Sequence, residues 1–365
     1  MSDKNLDLLA EDFFKASLES SPTSAIMRGR KEYFDQIEEL TEEKFEKEIQ
    51  NVNNFKQRLS EIDFENLSSR EKVTYGMLEF ALDSNHDSLI DRSWEFSAGV
   101  AGFEGFLIDY NQQMFVPDKE SSDMLLKRLE LYQRFYSQIS DVQKQGLSKN
   151  RVATQRNLER SIDQLESYLD TSLEEDPLLL VNFSPEIDEN EVSQWKDKAK
   201  DIIEKYVRPS VMSYLEQLQV DHLPKGRTDE NPGIMWIDGG EEVYLRSLRK
   251  YTGHKETTVK EVHEIGLSEI ERLKKEFFEI GKNVFDGVEK PEDVLYKMQT
   301  EPSMRYESKE QMLQLAEDTI ERAYKPLGEW FTVFPKAPCK VLPVPTQSEK
   351  HAPPAYYFPP LPDGS

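Results

Sequence analysis

Apolar side chains recur every three or four residues along most of this sequence, a spacing typical of amphipathic α-helices. Between Thr41 and Ile62 the large apolar residues follow one another at steps of 4, 3, 3, 4 and 3. They are Phe45, Ile49, Val52, Phe55, Leu59 and Ile62. Side chains at these steps lie on one face of a helix, and the intervening Glu, Lys, Gln and Asn residues face water. We therefore predict a helix that packs this face against a core.

The same periodicity returns in six further stretches, which are residues 68–85, 122–140, 151–173, 191–218, 258–281 and 309–331. Two of them open with a Ser/Thr-x-x-Glu capping box, at Ser68 and at Thr258. Pro209 predicts a kink or break within the fourth stretch, because proline cannot donate a helical hydrogen bond. No repeat of fixed period joins the stretches, which excludes a solenoid. The chain is therefore predicted to be a large array of many helices.

The end of the sequence departs from the helical pattern. Nine of the nineteen prolines lie between Pro335 and Pro362, and proline interrupts helices. Within this region, residues 340–344 and 355–358 have the composition of short strands. We predict a mainly α fold with a short, incomplete antiparallel β element near the C-terminus. The predicted domains are an all-helical region 1–335 and a Pro-rich extended segment 336–365, and a further division into about 1–225 and 226–335 is left open.

Charge and cysteine content exclude several classes of function. Lys and Arg number 46 against 70 Asp and Glu, which gives a net charge of −24. A nucleic-acid backbone or an anionic membrane surface requires a basic patch, so we predict neither partner. No apolar run approaches the roughly 20 residues of a membrane-spanning helix. Cys339 is the single cysteine and permits no intrachain disulfide, and the N-terminus lacks the pattern of a secretory signal. A cytoplasmic location is predicted.

The residues considered alone provide no complete active site. The nearest approach to a zinc-binding His-Glu-x-x-His motif begins at His263, but Leu267 stands where the second histidine belongs. No two of the five histidines are spaced i, i+4, so we predict no metal site in this chain. For His263 we prefer a position bordering the apolar stripe of its helix over contact with a substrate. Cys339 has no neighbouring histidine, and Gly-x-Ser-x-Gly, Walker and Rossmann patterns do not occur.

Several motifs in order resemble the domain of unknown function 885 family. They lie at residues 13–29, 62–71, 239–252, 261–269 and 355–365, and the resemblance spans nearly the whole chain. This family is grouped with helical zinc peptidases such as the thermostable carboxypeptidases. The resemblance implies a further region that carries His-Glu-x-x-Pro-Gly-His-His, whose histidines would bind zinc. That motif is not in these 365 residues.

The resemblance leads to our first hypothesis for function. The chain is expected to be the N-terminal, truncated portion of a zinc-dependent, carboxypeptidase-like enzyme that acts on peptides, and to be inactive alone. It would form the helical wall and part of the substrate-binding sheet, with Tyr356, Tyr357 and His263 as substrate-binding candidates. For each tyrosine, packing of a β edge against helices is the stronger alternative.

Two other hypotheses stay open. The chain is either a non-catalytic helical scaffold that binds other proteins, or, less favoured, a hydrolase with a metal site assembled from distant histidines and acids. The sequence leaves the oligomeric state and the preferred peptide end undetermined.

Overall fold

The protein is mainly α-helical, as predicted. The computed structural model describes residues 4–98, 102–111, 114–334, 336–344 and 355–357. It divides into two compact units, Met1–Gly253 and His254–Ser365. This division falls inside the region that the sequence predicted to be helical throughout. None of the helices described is both long and apolar enough to cross a membrane.

The first unit contains eleven of the helices that the structure describes. They are α1 (Lys4–Ser20), α2 (Pro22–Met27), α3 (Glu42–Ser60), α4 (Ser69–Asp91), α5 (Phe103–Tyr110), α6 (Lys119–Glu130), α7 (Tyr132–Ser148), α8 (Gln155–Asp170), α9 (Glu189–Ile202), α10 (Arg208–Gln217) and α11 (Gly240–Thr252). Two short strands, β1 (Phe115–Val116) and β2 (Asn182–Phe183), pair in parallel with Phe115 opposite Asn182.

Both predicted capping boxes are confirmed. At the start of α4, Ser68 Oγ accepts a hydrogen bond from the Glu71 N–H, and the Ser68 N–H donates to Glu71 Oε2 at 2.8 Å. At the start of the long helix of the second unit, Thr258 and Glu261 make the same reciprocal pair. Each box satisfies backbone donors that the first turn of a helix would otherwise leave unpaired.

Two predicted helix boundaries are wrong. Helix α4 does not end at residues 83–85 but continues to Asp91. Leu78 and Leu82 pack into a core with α1 and α3, and this packing outweighs the weak helix preference of the polar residues at 83–85. The stretch 122–140 is not one helix, because Leu131 separates α6 from α7 and is the C-cap of one and the N-cap of the other.

Pro209 does not break the helical path between α9 and α10. The backbone instead widens to a π-helix over Ile203–Val207, and again over Leu218–His222 after α10. The buried residues that form one row along this path are spaced mostly four apart, which is more than the 3.6 residues of an α-helical turn. They are Trp195, Ala199, Ile203, Val207, Val211, Leu215, Leu218 and His222. A π turn contains more residues than an α turn, so the two π-helical segments compensate for the wider spacing of these side chains and keep them on the core side.

Two hydrophobic cores stabilise the first unit. The larger one is built mainly from α6 to α10 and includes the fully buried Tyr132, Phe135 and Tyr214. The smaller one joins α1, α3 and α4 through residues such as Leu9 and Leu82. Each buried Leu or Phe contributes about 1.5–3 kcal/mol by removal from water, so these clusters account for most of the driving force of this unit.

The second unit has almost no buried core. It contains α12 (Val259–Val284), α13 (Pro291–Thr300), α14 (Lys309–Tyr324) and α15 (Leu327–Trp330). Among its described residues only Gly281, Phe285 and Val294 are buried. Helices α12 and α13 meet there closely, since a Cβ on Gly281 would lie 2.3 Å from Val294 Cγ2. The apolar faces of α12 and α14 are therefore left largely exposed.

The predicted antiparallel β element does not form in the residues that can be described. Residues 336–344 and 355–357 belong to no strand, and Phe358 lies outside the described residues. An extended segment becomes a strand only when a partner accepts and donates its backbone hydrogen bonds, and Pro338 and Pro343 have no N–H to donate. The strand pair that the structure does contain is parallel and lies in the first unit.

Candidate functional site

His263 lies on the exposed surface of α12, one turn after the helix begins. It follows Val259 by four residues and precedes Gly266 by three, so it belongs to the apolar stripe of this helix. The prediction that His263 borders this stripe agrees with its position. A role in substrate binding stays a prediction.

Tyr356 and Tyr357 are both accessible to solvent. Their exposed fractions are 45% and 71%, and neither belongs to a strand. An exposed phenol can donate or accept a hydrogen bond and can stack on a ligand, so both side chains are available to a peptide. Their assignment to a substrate-binding sheet stays a prediction.

A groove, here called the tail groove, lies between α14 and residues 338–342. The phenol oxygen of Tyr324 accepts a hydrogen bond from the N–H of Cys339 at 3.1 Å, which attaches the segment to the helix. The groove has a volume of about 560 Å³. Its walls are formed by Glu317, Ile320, Glu321 and Tyr324 on the helix and by residues 338–342 on the other side.

The chemistry of the tail groove combines an apolar floor with available backbone groups. Ile320 is half-buried, while Leu342 is 77% exposed at the rim. Apart from the Cys339 N–H, residues 339–342 form no hydrogen bond to another described residue. Free backbone donors and acceptors beside an apolar wall are the elements that bind extended peptides.

Potential metal ligands do not converge in the described part of the chain. His222 is buried in the second π-helical segment, His254 and His263 are exposed, His86 lies on α4, and His351 lies outside the described residues. No group of three or more His, Cys, Asp or Glu side chains among the described residues has the geometry to bind a metal ion. The residues that the structure describes therefore do not fit a zinc centre.

A buried charge cluster in the first unit was not predicted from the sequence. The carboxylate of Glu95 accepts hydrogen bonds from Arg151 Nε at 2.6 Å and from Lys149 Nζ at 2.9 Å, and Arg92 Nε lies 3.2 Å from it. The Glu95 side chain is only 2% exposed. Three cations around one buried carboxylate offset part of its cost of desolvation.

The cluster extends to α11 through Asp91. Arg246 of α11 donates to Asp91 Oδ1, and Arg151 donates to the carbonyls of Asp91 and of Asp238, the latter at 2.7 Å. Burial raises the pKa of Asp91, and the hydrogen bond from Arg246 opposes this shift. These bonds hold Asp238, which precedes α11, and Arg246 in the middle of α11 close to the end of α4.

The residues of the tail groove were assigned from the sequence to other roles. Ile320 lies in the predicted helical stretch 309–331, and Cys339 was considered only as a cysteine without a neighbouring histidine. The sequence feature that could have indicated the groove is the Pro-rich segment that follows α14. A segment of this kind cannot form a helix, and it can lie along the surface of a neighbouring amphipathic helix. Nothing in the local sequence indicates which turn of α14 it contacts.

The fold and site define a multi-helical protein of two units with an open groove beside its last long helix. The chain belongs to the family described as bacterial protein of unknown function (DUF885), whose model matches residues 22–365. This finding confirms the family resemblance. No curated protein matches the chain.

A solved structure shares this fold. The crystal structure of a protein described as a putative lipoprotein from Colwellia psychrerythraea superposes with a TM-score of 0.84 at 17% sequence identity. The match covers 99% of this chain and 66% of that chain. This chain thus spans just under two thirds of the length of the solved relative, and at this identity the likeness establishes the fold alone.

Proposed function

We propose that this chain forms the helical wall and part of the peptide-binding site of a zinc-dependent peptidase. The observation that carries the proposal is the tail groove, where the backbone groups of residues 340–342 form no hydrogen bond to another described residue and lie beside Ile320 and Tyr324. The family resemblance supplies the peptidase class. The metal ligands would lie in further polypeptide, because the described residues do not fit zinc.

The tail groove would bind an extended peptide in two ways. The backbone of residues 340–342 can pair with the peptide backbone, which contributes affinity without regard to sequence. The apolar wall at Ile320 can accept an alternate side chain of the same peptide and contribute selectivity. Glu317, Glu321 and Lys340 line the groove, so its walls carry charges of both signs that can contact polar groups of the peptide.

The other site residues keep their predicted roles within this proposal. Tyr356, Tyr357 and His263 are candidates for substrate contact, since all three are exposed. A cytoplasmic location is also part of the proposal, based on the single cysteine, whereas the solved relative is described as a lipoprotein. Cell fractionation with an antibody against the chain distinguishes a cytoplasmic protein from a membrane-anchored one.

A second candidate function is a non-catalytic scaffold that binds other proteins. It is favoured by the exposed apolar faces of α12 and α14, because exposed patches of this kind commonly mark protein-binding surfaces. The coding sequence downstream of Ser365 separates the two functions. A His-Glu-x-x-Pro-Gly-His-His motif in the same reading frame supports the peptidase, and an intact gene without the motif supports the scaffold.

Peptide binding by the chain itself tests the tail groove. A fluorescent, unstructured peptide is titrated with the purified chain and with two variants of α14. We expect Ile320→Arg to weaken binding at least about tenfold by placing a charge on the apolar wall. Leu315→Arg is the matched control, because Leu315 is exposed on the same helix but does not line the groove. Equal binding by both variants contradicts the proposal.

Zinc titration tests where the metal ligands lie. The purified chain is expected to bind no stoichiometric zinc and to cleave no peptide. Tight binding of one zinc ion, together with peptide cleavage that a chelator abolishes, would favour the third hypothesis of a site built from distant histidines.

A further inference from the structure

Helix α12 carries an apolar stripe with the spacing of a coiled coil. Its members, here called the α12 seam, follow at steps of 4, 3, 4, 3, 4, 3 and 4. They are Val259, His263, Gly266, Ile270, Leu273, Phe277, Ile280 and Val284. A repeat of 3.5 residues is the period of helices that supercoil around one another in a left-handed sense. The seam extends over nearly four heptads.

The seam is not covered by the rest of the chain that the structure describes. Its aliphatic members Val259, Ile270, Leu273, Ile280 and Val284 are 41–62% exposed. A Cβ added at Gly266 would meet no atom within 4 Å. At its C-terminal end the seam approaches α13, which packs on the adjacent Gly281. An apolar stripe of this length needs a partner helix to leave water.

The residue types in the seam indicate a two-stranded, parallel partner. Heptad positions a hold His263, Ile270, Phe277 and Val284, and positions d hold Val259, Gly266, Leu273 and Ile280. In parallel dimers, β-branched residues at a and leucine at d favour two strands. The central layers, Ile270 at a and Leu273 at d, follow this rule.

The charges beside the seam indicate that the partner is a second copy. In a parallel, in-register pair, a residue at position g faces the residue five positions later on the other helix. Glu269 at g then faces Lys274 of the other copy, and the symmetric contact also forms. In an antiparallel pair, position g of one helix faces position g of the other helix. Glutamates of the two copies would then face each other. The pair Glu269–Lys274 is therefore complementary between two copies in the parallel orientation and not in the antiparallel one.

We propose that two copies of this chain associate through the α12 seam as a parallel two-stranded coiled coil. The interaction buries the layers from Val259 to Phe277 and leaves α13 in place beside Gly281. Gly266 would leave a gap at its d layer, which limits the affinity. The proposal is independent of the peptidase proposal, which rests on α14 and the tail groove.

Sedimentation velocity of the full 365-residue chain from about 1 to 100 µM tests the proposal. We expect a reversible monomer–dimer equilibrium. Leu273→Glu should weaken the dimer by about 10- to 100-fold, because it places a charge in a central layer. Ile265→Glu is the matched control, since Ile265 is 61% exposed on the same helix but outside the seam. A chain that stays monomeric, or equal effects of both variants, overturns the proposal.

A variant that strengthens the dimer provides a second test, which does not depend on a destabilising substitution. Gly266→Leu fills the gap in the d layer and should strengthen the dimer at least about tenfold. Ser268→Leu adds the same side chain at an exposed position on the opposite face and should leave the dimer unchanged. Strengthening by both variants would indicate nonspecific association and overturn the proposal.

The orientation is tested by cross-linking and by charge reversal. In a Cys339→Ser background, Ile270→Cys should form an intermolecular disulfide under mild oxidation, because identical a positions meet in a parallel pair, and Ser268→Cys should not. Glu269→Lys and Lys274→Glu should each weaken the dimer, and the double variant should restore it. Failure of cross-linking at residue 270, or of restoration by the double variant, overturns the parallel arrangement.

Discussion

The Nε of Arg151 lies 2.6 Å from a carboxylate oxygen of Glu95, and the Glu95 side chain is 2% exposed. The same guanidinium lies over the ring of Phe96, 4.9 Å from its centroid. Two residues that are 56 positions apart thus connect the 3₁₀ turn after α4 with the segment after α7. Because this pair is shielded from water, its loss costs more than the loss of an ion pair on the surface.

Replacement of Glu95 by Gln should destabilise the protein by about 3–5 kcal/mol, because the cations around it lose their buried counter-charge. The measurement is the free energy of unfolding from urea titration. Glu32→Gln is the control, since Glu32 pairs with Arg30 on the surface and should cost less than about 1 kcal/mol. Similar losses in both variants would mean that burial does not strengthen the Glu95 cluster.

Two helical glycines should respond to alanine in opposite directions. A Cβ on Gly146 of α7 would lie 2.4 Å from the carbonyl oxygen of Glu95, so Gly146→Ala should cost about 1–3 kcal/mol by forcing the backbones apart. A Cβ on Gly76 of α4 would meet nothing within 4 Å, so Gly76→Ala should stabilise by about 0.5–1 kcal/mol through helix propensity. Thermal and urea unfolding measure both. Stabilisation by Gly146→Ala would disprove this close contact.

Asp118 should make stability depend on pH in the acid range. The hydrogen bond from the Ser121 N–H, followed by the bond from Lys31, lowers the pKa of Asp118 to about 2. A carboxyl whose folded pKa lies below its unfolded value stabilises the fold above the unfolded pKa of about 4, and this contribution disappears as the pH falls toward 2.

The Asp118→Asn variant isolates this charge, because asparagine can still cap α6. We expect it to be less stable than the parent by about 1 kcal/mol at pH 6, a value reduced by the partial exposure of Asp118. The urea midpoints of the parent and of the variant, measured from pH 6 down to the acid limit, should converge as the pH falls. A difference that persists unchanged in acid would show that the substituted asparagine disturbs the cap itself.

Amide hydrogen exchange should differ sharply between the two units. The backbone of α7 is covered by residues such as Phe135 and Tyr136, whereas α14 has no buried residue. Exchange protection reflects the free energy of local opening, which falls with the number of buried apolar contacts that are lost. We expect the amides of α14 to exchange far faster than those of α7. Equal protection would indicate that another copy or another polypeptide covers the second unit.

The helices of the first unit were predictable because their apolar periodicity reflects the cores that form there. The stripe in α3, with Phe45, Val52 and Leu59, is buried as the spacing predicts. In α12 the same kind of stripe is exposed, because periodicity indicates which face seeks burial but not whether a partner is present. The capping boxes were predictable because their hydrogen bonds join residues three positions apart.

The site was less predictable than the fold. The Glu95 cluster and the tail groove join residues far apart in the chain, and no local pattern records such contacts. His263 lies on a helix, as its local sequence predicts, and its role in substrate binding stays a prediction. Tyr356 and Tyr357 were expected in a strand, but strand formation depends on a partner that the nearby sequence does not specify.

The two π-helical turns have a consequence for how this chain tolerates insertions and deletions. Each residue of an α-helix advances by about 100° around the axis, so removal of one residue from Ile203–Val207 would return that turn to α geometry without breaking the rod. Residues downstream would keep their orientation, because a π turn accommodates one residue more than an α turn within the same rotation, and Val211 and Tyr214 would stay in the core. A deletion of one residue should therefore be less harmful within these two turns than within α9 or α10, where it would rotate every later residue by about 100°.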